Sequence, residues 1–220
     1  MKTIAAAIFL IIGFRSLLAE TETWPVYAFQ NGVHFNSAEE RVKVLKELGY
    51  DGIGAARVKD VLSLPQRLKL YDEARLKLFS FYVGGQLGPK GHSYGKEISQ
   101  ANKDLKGRDV ILELYVQGNK KANTDEQAVA FVREIADQAK ESGLRIVLYP
   151  HTGFYVDTLG TAMRIARKCE RDNVGVMFNL CHYLMVEPKT DLKTALTDAK
   201  PLLWQVSTWG AEKEGRSWDQ

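Results

Sequence analysis

Apolar, β-branched and aromatic residues gather in seven short runs: Val26–Phe29, Ile53–Val58, Leu78–Val83, Val110–Val116, Arg145–Tyr149, Val174–Phe178 and Trp204–Ser207. Their starts fall 25 to 35 residues apart. The segments between them have the 3.6-residue period of amphipathic helices: Ser37–Leu48, Leu64–Leu76, Tyr94–Leu105, Thr124–Ser142, Thr158–Cys169 and Thr190–Ala199. Strand then helix, repeated, predicts parallel βα units. The helix ends agree with the periods. Ser37 stands three residues before Glu40 and Thr124 three before Gln127, the spacing of a reciprocal N-cap. Gly49 and Gly143 follow the same two helices, where a left-handed residue closes the last turn.

Two architectures accommodate such units, an open doubly wound sheet and a closed (β/α)8 barrel. No Gly-x-Gly-x-x-Gly follows any strand, so the nucleotide-binding open sheet loses ground and the α/β fold of TIM-barrel type is favoured. About seven βα units are visible. A complete barrel takes about 250 residues. The expected mature length is 201, and the last run ends about a dozen residues before Gln220, so the reading is an incomplete barrel with no clear eighth strand: a fragment of a longer protein, or a barrel whose gap another chain or a rearranged terminus covers.

Composition narrows the class. With 45% hydrophobic and 26% charged residues the chain can build a core, which excludes a disordered protein. The N-terminal segment has an early Lys2, an apolar run from Ile4 to Phe14 and a small Ala19, which is signal-peptide architecture. Residues 1–19 are therefore expected to be a cleaved export signal and residues 20–220 the barrel domain, placing the protein in a periplasm or outside the cell, with no membrane partner after cleavage. Removing Lys2 and Arg15 leaves 28 basic against 27 acidic residues, a charge with no pull on nucleic acid. Cys169 and Cys181 lack zinc-site spacing and read as free, buried thiols.

In parallel α/β folds the strand C-termini and the loops after them form the ligand-binding face. Polar residues expected there are Gln30, Asn31 and His34 after the first strand, Gln86 after the third, and Glu113 and Gln117 on the fourth. Tyr149, His151 and Thr152 follow the fifth, Asn179 and His182 the sixth, and Ser207, Thr208 and Trp209 the seventh. Imidazoles and carboxylates on one rim can hold Mn²⁺, Co²⁺ or Zn²⁺, transfer protons, or hydrogen-bond sugar hydroxyls. Trp209, Tyr149, Phe154 and Tyr155 suit stacking on the apolar face of a sugar ring, or ordinary packing.

Leu45-Lys-Glu-Leu-Gly-Tyr-Asp-Gly-Ile53, Val147-Leu-Tyr-Pro-His-Thr-Gly153 and Asn173-Val-Gly-Val-Met-Phe-Asn-Leu-Cys-His182 resemble the xylose isomerase-like TIM-barrel family of sugar isomerases and epimerases, over roughly Trp24 to Gly210. The resemblance implies a rim metal held by Glu, Asp, His and Glu from the last four strands, with carboxylates moving protons beside a sugar carbonyl. The chain departs from that pattern. The family's Asp-x-x-His reads Asn179-Leu-Cys-His182 here, and the fifth-strand Glu is replaced in Tyr149-Pro-His151. Gly54 stands where many members have Glu, and Val206-Ser-Thr-Trp-Gly210 has no His. The family's metal ligands are thus largely absent.

Two functions follow as expectations. One is an exported sugar isomerase or epimerase with Glu113, His151 and His182 as catalytic groups, and Asn179, Tyr149, Gln117 and Trp209 contacting a sugar or polyol. The other is a non-catalytic carbohydrate-binding barrel that has lost the metal site. An endonuclease of the same fold fits poorly, because a metal cluster acting on DNA needs more His and carboxylate ligands and more positive charge.

Overall fold

A computed structural model describes residues 24–30, 35–187 and 191–208. The expected export signal lies outside these residues, as do Asn31, His34 and Trp209. No helix among the described residues is long and apolar enough to cross a membrane.

The strands and helices alternate along the chain. β1 (Tyr27–Phe29), α1 (Ala38–Glu47), the interrupted strand β2 (Gly52–Gly54) and β3 (Ala56–Arg57), and α2 (Leu64–Ala74) open the fold. A second interrupted strand follows, β4 (Lys77–Leu78) and β5 (Ser80–Gly88), then β6 (Gly91–Tyr94), α3 (Glu97–Asp104), β7 (Ile111–Gln117) and α4 (Asp125–Glu141). β8 (Arg145–Leu148), α5 (Leu159–Cys169), β9 (Val174–Asn179), α6 (Leu180–Val186), α7 (Leu192–Ala199) and β10 (Leu203–Ser207) complete it. The parallel pairs run β1–β2–β4 and β3–β5–β7–β8–β9–β10, which gives seven consecutive barrel strands once the two interrupted strands are each taken as one. Among the described residues β1 pairs with β2 alone and β10 with β9 alone. The barrel is therefore open between its first and seventh strands there.

The caps form largely as the sequence predicts. Ser37 Oγ accepts from Glu40 N at 3.0 Å, while the Glu40 carboxylate takes the Asn36 N–H instead of closing on Ser37. Thr124 and Gln127 bond reciprocally at the start of α4. Gly49 and Gly143 both have positive φ, 77° and 73°. The expected helix from Tyr94 is displaced. Gly91–Tyr94 instead turns back as an antiparallel strand on β5, and α3 starts at Glu97. Gly88 and Gly91 bracket the turn, and pairing with β6 on one side and β7 on the other carries β5 past Val83 through a glycine-rich stretch.

Strand alternation divides the interior in two. Phe81, Leu112, Ile146 and Val174 are in register and face the helices, packing with Phe131, Ile135, Ala162 and Ile165 in the main core. Their neighbours Tyr82, Glu113 and Val147 face the barrel lumen, where Ile111, Tyr115, Tyr149, Met177 and Trp204 form a second cluster. Full burial of each large apolar side chain contributes about 1.5–3 kcal/mol. Two glycines make the lumen packing possible. A Cβ on Gly84 would stand 2.3 Å from Tyr115 O, and one on Gly175 would stand 2.5 Å from the Trp204 ring. Cys169 and Cys181 are buried free thiols, as expected.

Candidate functional site

At the C-terminal ends of β8 and β9 the chain builds a tightly connected group. Asn179 ends β9 and caps α6, its Oδ1 accepting from His182 N at 3.2 Å. Its amide Nδ2 donates to Tyr149 Oη at 2.9 Å. Capping thus fixes Asn179 and, one turn on, places the His182 ring over the lumen. The His151 and His182 rings are 4.1 Å apart, and His151 stacks on Phe154 at the same centroid distance, 17° from parallel. Tyr149 meets His182 and Tyr82 edge to face, Tyr82 packs on Tyr115, and Tyr115 on Phe154. Six rings form one continuous wall.

The hydrogen bonds assign the imidazole tautomers. His151 Nδ1 lies 2.8 Å from the Thr152 carbonyl oxygen, which can only accept, so Nδ1 carries the proton and Nε2 offers a lone pair. His182 Nδ1 faces the Thr152 backbone N–H at 3.5 Å and its hydroxyl at 3.1 Å. A backbone N–H can only donate, so His182 Nδ1 accepts and its proton is on Nε2. Neither Nε2 is among the buried atoms that lack a partner, and neither has a protein partner among the described residues. One acceptor and one donor are therefore left open on adjacent rings. Both rings are neutral near pH 7: burial lowers the His151 pKa, and burial together with the neighbouring His151 lowers that of His182 to about 4.

Glu113 is not on this rim. It lies in the first half of β7, with 0% of its surface exposed. Ser80 Oγ donates to its Oε1 at 2.5 Å and the Gln205 amide donates to the same oxygen. Oε2 has no partner, nor does Gln205 Oε1. Burial raises the Glu113 pKa, outweighing those hydrogen bonds. The expectation that Glu113 and the two histidines surround one ligand is corrected accordingly: the strand's alternation points Glu113 into the lumen, but two alternations below Gln117. Gln117 is half-buried at the end of β7, in register with Gln86.

Tyr82 and Tyr115 complete the aromatic wall and were not among the sequence candidates. Period-two alternation gives the signal, since Tyr115 shares a face with Gln117 and Tyr82 with Gln86. Burial raises the hydroxyl pKa of Tyr82 and of Tyr149, so both phenols stay protonated.

A parallel α/β barrel with its polar groups and aromatic rings at the strand C-termini defines a ligand-binding or catalytic barrel. The family described as xylose isomerase-like TIM barrel matches residues 42–200, and the chain belongs to that family. Solved structures of the same fold include 3-keto-D-glucoside 4-epimerase from E. coli, with 16% identity, a TM-score of 0.66, and coverage of 84% of this chain and 78% of that one. An AP endonuclease of family 2 from Brucella melitensis has 17% identity and a TM-score of 0.63, covering 83% and 78%. D-psicose 3-epimerase, solved with D-fructose, has 14% identity and a TM-score of 0.61, covering 83% and 72%. No curated protein sequence matches the chain.

The rim residues do not fit the metal that the family resemblance implies. Among the described residues no three His, Cys, Asp or Glu side chains are grouped to hold an ion. Tyr149 and Asn179 are bonded to each other, and the Nδ1 atoms of both histidines are engaged by Thr152.

Proposed function

We propose that the protein binds a sugar or polyol at the β8–β9 rim and acts on it as an isomerase or epimerase, with His151 and His182 as the proton-handling pair and no step through a metal. The observation that carries this reading is the pair of neutral imidazoles, rings 4.1 Å apart, with opposite groups left open. His151 Nε2 takes the proton from the carbon beside the sugar carbonyl as the C–H electron pair forms a C=C bond and the carbonyl π pair moves to oxygen, giving an enediolate. His182 Nε2–H hydrogen-bonds the carbonyl oxygen where negative charge develops. When the enediolate turns its other face to the protonated His151, return of the proton to the same carbon inverts it; return to the former carbonyl carbon, with the neighbouring hydroxyl proton passed to the first oxygen through His182, isomerises the sugar. The ring wall supplies a stacking surface, with the His151–Phe154 stack at its upper end.

Sugar epimerases among proteins of this fold support the substrate class. The near-balanced charge of the chain favours a small ligand over nucleic acid. The apolar run Ile4–Phe14 supports export, which N-terminal sequencing of the mature protein tests.

The test is solvent deuterium incorporation into a panel of aldoses and ketoses, followed by NMR with a chelator present. The expected result is exchange at one carbon, lost by at least a hundredfold in His151→Ala and His182→Ala while thermal unfolding stays cooperative. Exchange retained in both variants removes the pair from the chemistry. A second reading, binding without turnover, is favoured by the Tyr149–Asn179 pair, in which neither side chain transfers a proton at neutral pH. It predicts sugar binding and no exchange.

A further inference from the structure

Strand register places a cationic side chain on the lumen face, in the row that holds Tyr82 and Glu113. Arg57 is in register with Tyr82, and in-register neighbours on parallel strands share a face. Tyr82 faces the lumen, as its ring contacts with Tyr115 and Tyr149 establish, and the Arg57 charge acts on the Tyr82 hydroxyl. Arg57 is exposed, and its guanidinium makes no hydrogen bond or ion pair among the described residues, although its backbone N–H donates to Gln30 Oε1 at 2.8 Å. The carboxylate in the loop that follows, Asp60, is already engaged by Arg41, Arg67, Gln30 and the Val61 N–H. Across the lumen both histidines are neutral and the phenols are protonated. Glu113, in register with Tyr82, shares the lumen face but is fully buried, its Oε1 accepting from Ser80 and Gln205, so no carboxylate engages the Arg57 guanidinium among the described residues.

We infer that the ligand of this rim is a sugar acid, an aldonate or uronate, whose carboxylate is held by Arg57 while its hydroxyl-bearing carbons lie against Tyr82, Tyr115 and the two histidines. This inference rests on the sugar reading above and narrows its substrate class. A guanidinium matches a carboxylate with two parallel N–H···O bonds, and one positive charge balances one negative charge. A phosphate dianion would keep a charge unmatched. Neutral sugars offer Arg57 only hydroxyl acceptors.

The experiment is calorimetric titration of the protein with glucose, glucuronate, gluconate and glucose 6-phosphate, at low and high salt, for the native chain, Arg57→Gln and Arg57→Lys. Glucuronate or gluconate is expected to bind at least tenfold tighter than glucose, with the advantage shrinking in salt. Arg57→Gln is expected to bring the acids to the level of glucose, and Arg57→Lys, which keeps charge without the fork, to fall between. Equal affinity for glucose and both acids overturns the anion anchor while the sugar reading stands. Tightest binding of glucose 6-phosphate overturns the carboxylate assignment. Glucose binding that His182→Ala abolishes supports the sugar reading independently, and absence of binding by every probe overturns both. Arg57 is exposed at a strand end, so unfolding curves that coincide with the native chain's show that a lost preference is not a lost fold.

Discussion

The two sides of the barrel mouth solve burial in opposite ways. On the β8–β9 side, Tyr149, His151, Asn179 and His182 are buried or half-buried, neutral, and bonded to one another or to Thr152. On the β1–β3 side, two buried guanidinium groups surround one carboxylate. Asp60 accepts from Arg41 and Gln30, each at 2.8 Å, and Arg67 approaches it at 3.5 Å. Arg67 is 0% exposed, lies over the Phe81 ring, and has no hydrogen-bond partner on any of its three nitrogens. Burial lowers its pKa accordingly. Neutral polar groups are buried here by pairing with one another, whereas the excess buried charge depends on a single counter-ion.

Breaking that counter-ion has the largest expected effect. Asp60→Ala leaves two buried cations uncompensated and should cost about 3–5 kcal/mol in urea unfolding, with part of the loss recovered when Arg67→Met is added. A loss under about 1 kcal/mol would show that the cations are solvated in the native state.

The neutral side is sharpened by acid. The His182 pKa is lowered to about 4 from an ordinary 6.5, so the unfolded chain binds its proton first. Its contribution is fully present above pH 6.5 and is lost as pH falls toward 4. The loss should reach roughly 2–3 kcal/mol, and His182→Gln should flatten that part of the stability curve.

Glu113 has the opposite sign. With its folded pKa raised, the native state binds the proton more tightly than the unfolded chain, so stability is highest below the ordinary carboxyl value near 4.5 and falls as pH rises through the folded value. Glu113→Gln, which is neutral at every pH, should be about 1–2 kcal/mol more stable than the native chain at pH 8 and not at pH 4, by unfolding midpoint. Thr152→Val makes the smallest change, about 1 kcal/mol, because the backbone N–H still faces His182 Nδ1 after the hydroxyl is gone.

The strand–helix alternation, the caps at Ser37 and Thr124 and the closing glycines were legible because each rests on residues near in sequence. So was the gathering of His151, Asn179 and His182, since strand ends of a parallel barrel share a face. The Gly91–Tyr94 hairpin strand was not legible, because its short polar sequence takes its conformation from pairing with β5. The depth of Glu113 escaped for a different reason. Its strand was identified, but its partners Ser80 and Gln205 are 33 and 92 residues away, and only the closure of strands around the lumen brings them together. Arg57 was hidden by the irregularity between β2 and β3, where Ala55 has a φ of 50° and resets the alternation.

Imidazole ¹⁵N chemical shifts at pH 7 report whether the rim carries two neutral imidazoles of opposite tautomer. His151 should show a protonated Nδ1 and a bare Nε2, and His182 the reverse, with His182 titrating near pH 4. An imidazolium signal from either ring at pH 7, or the same tautomer in both, would overturn this assignment of the rim.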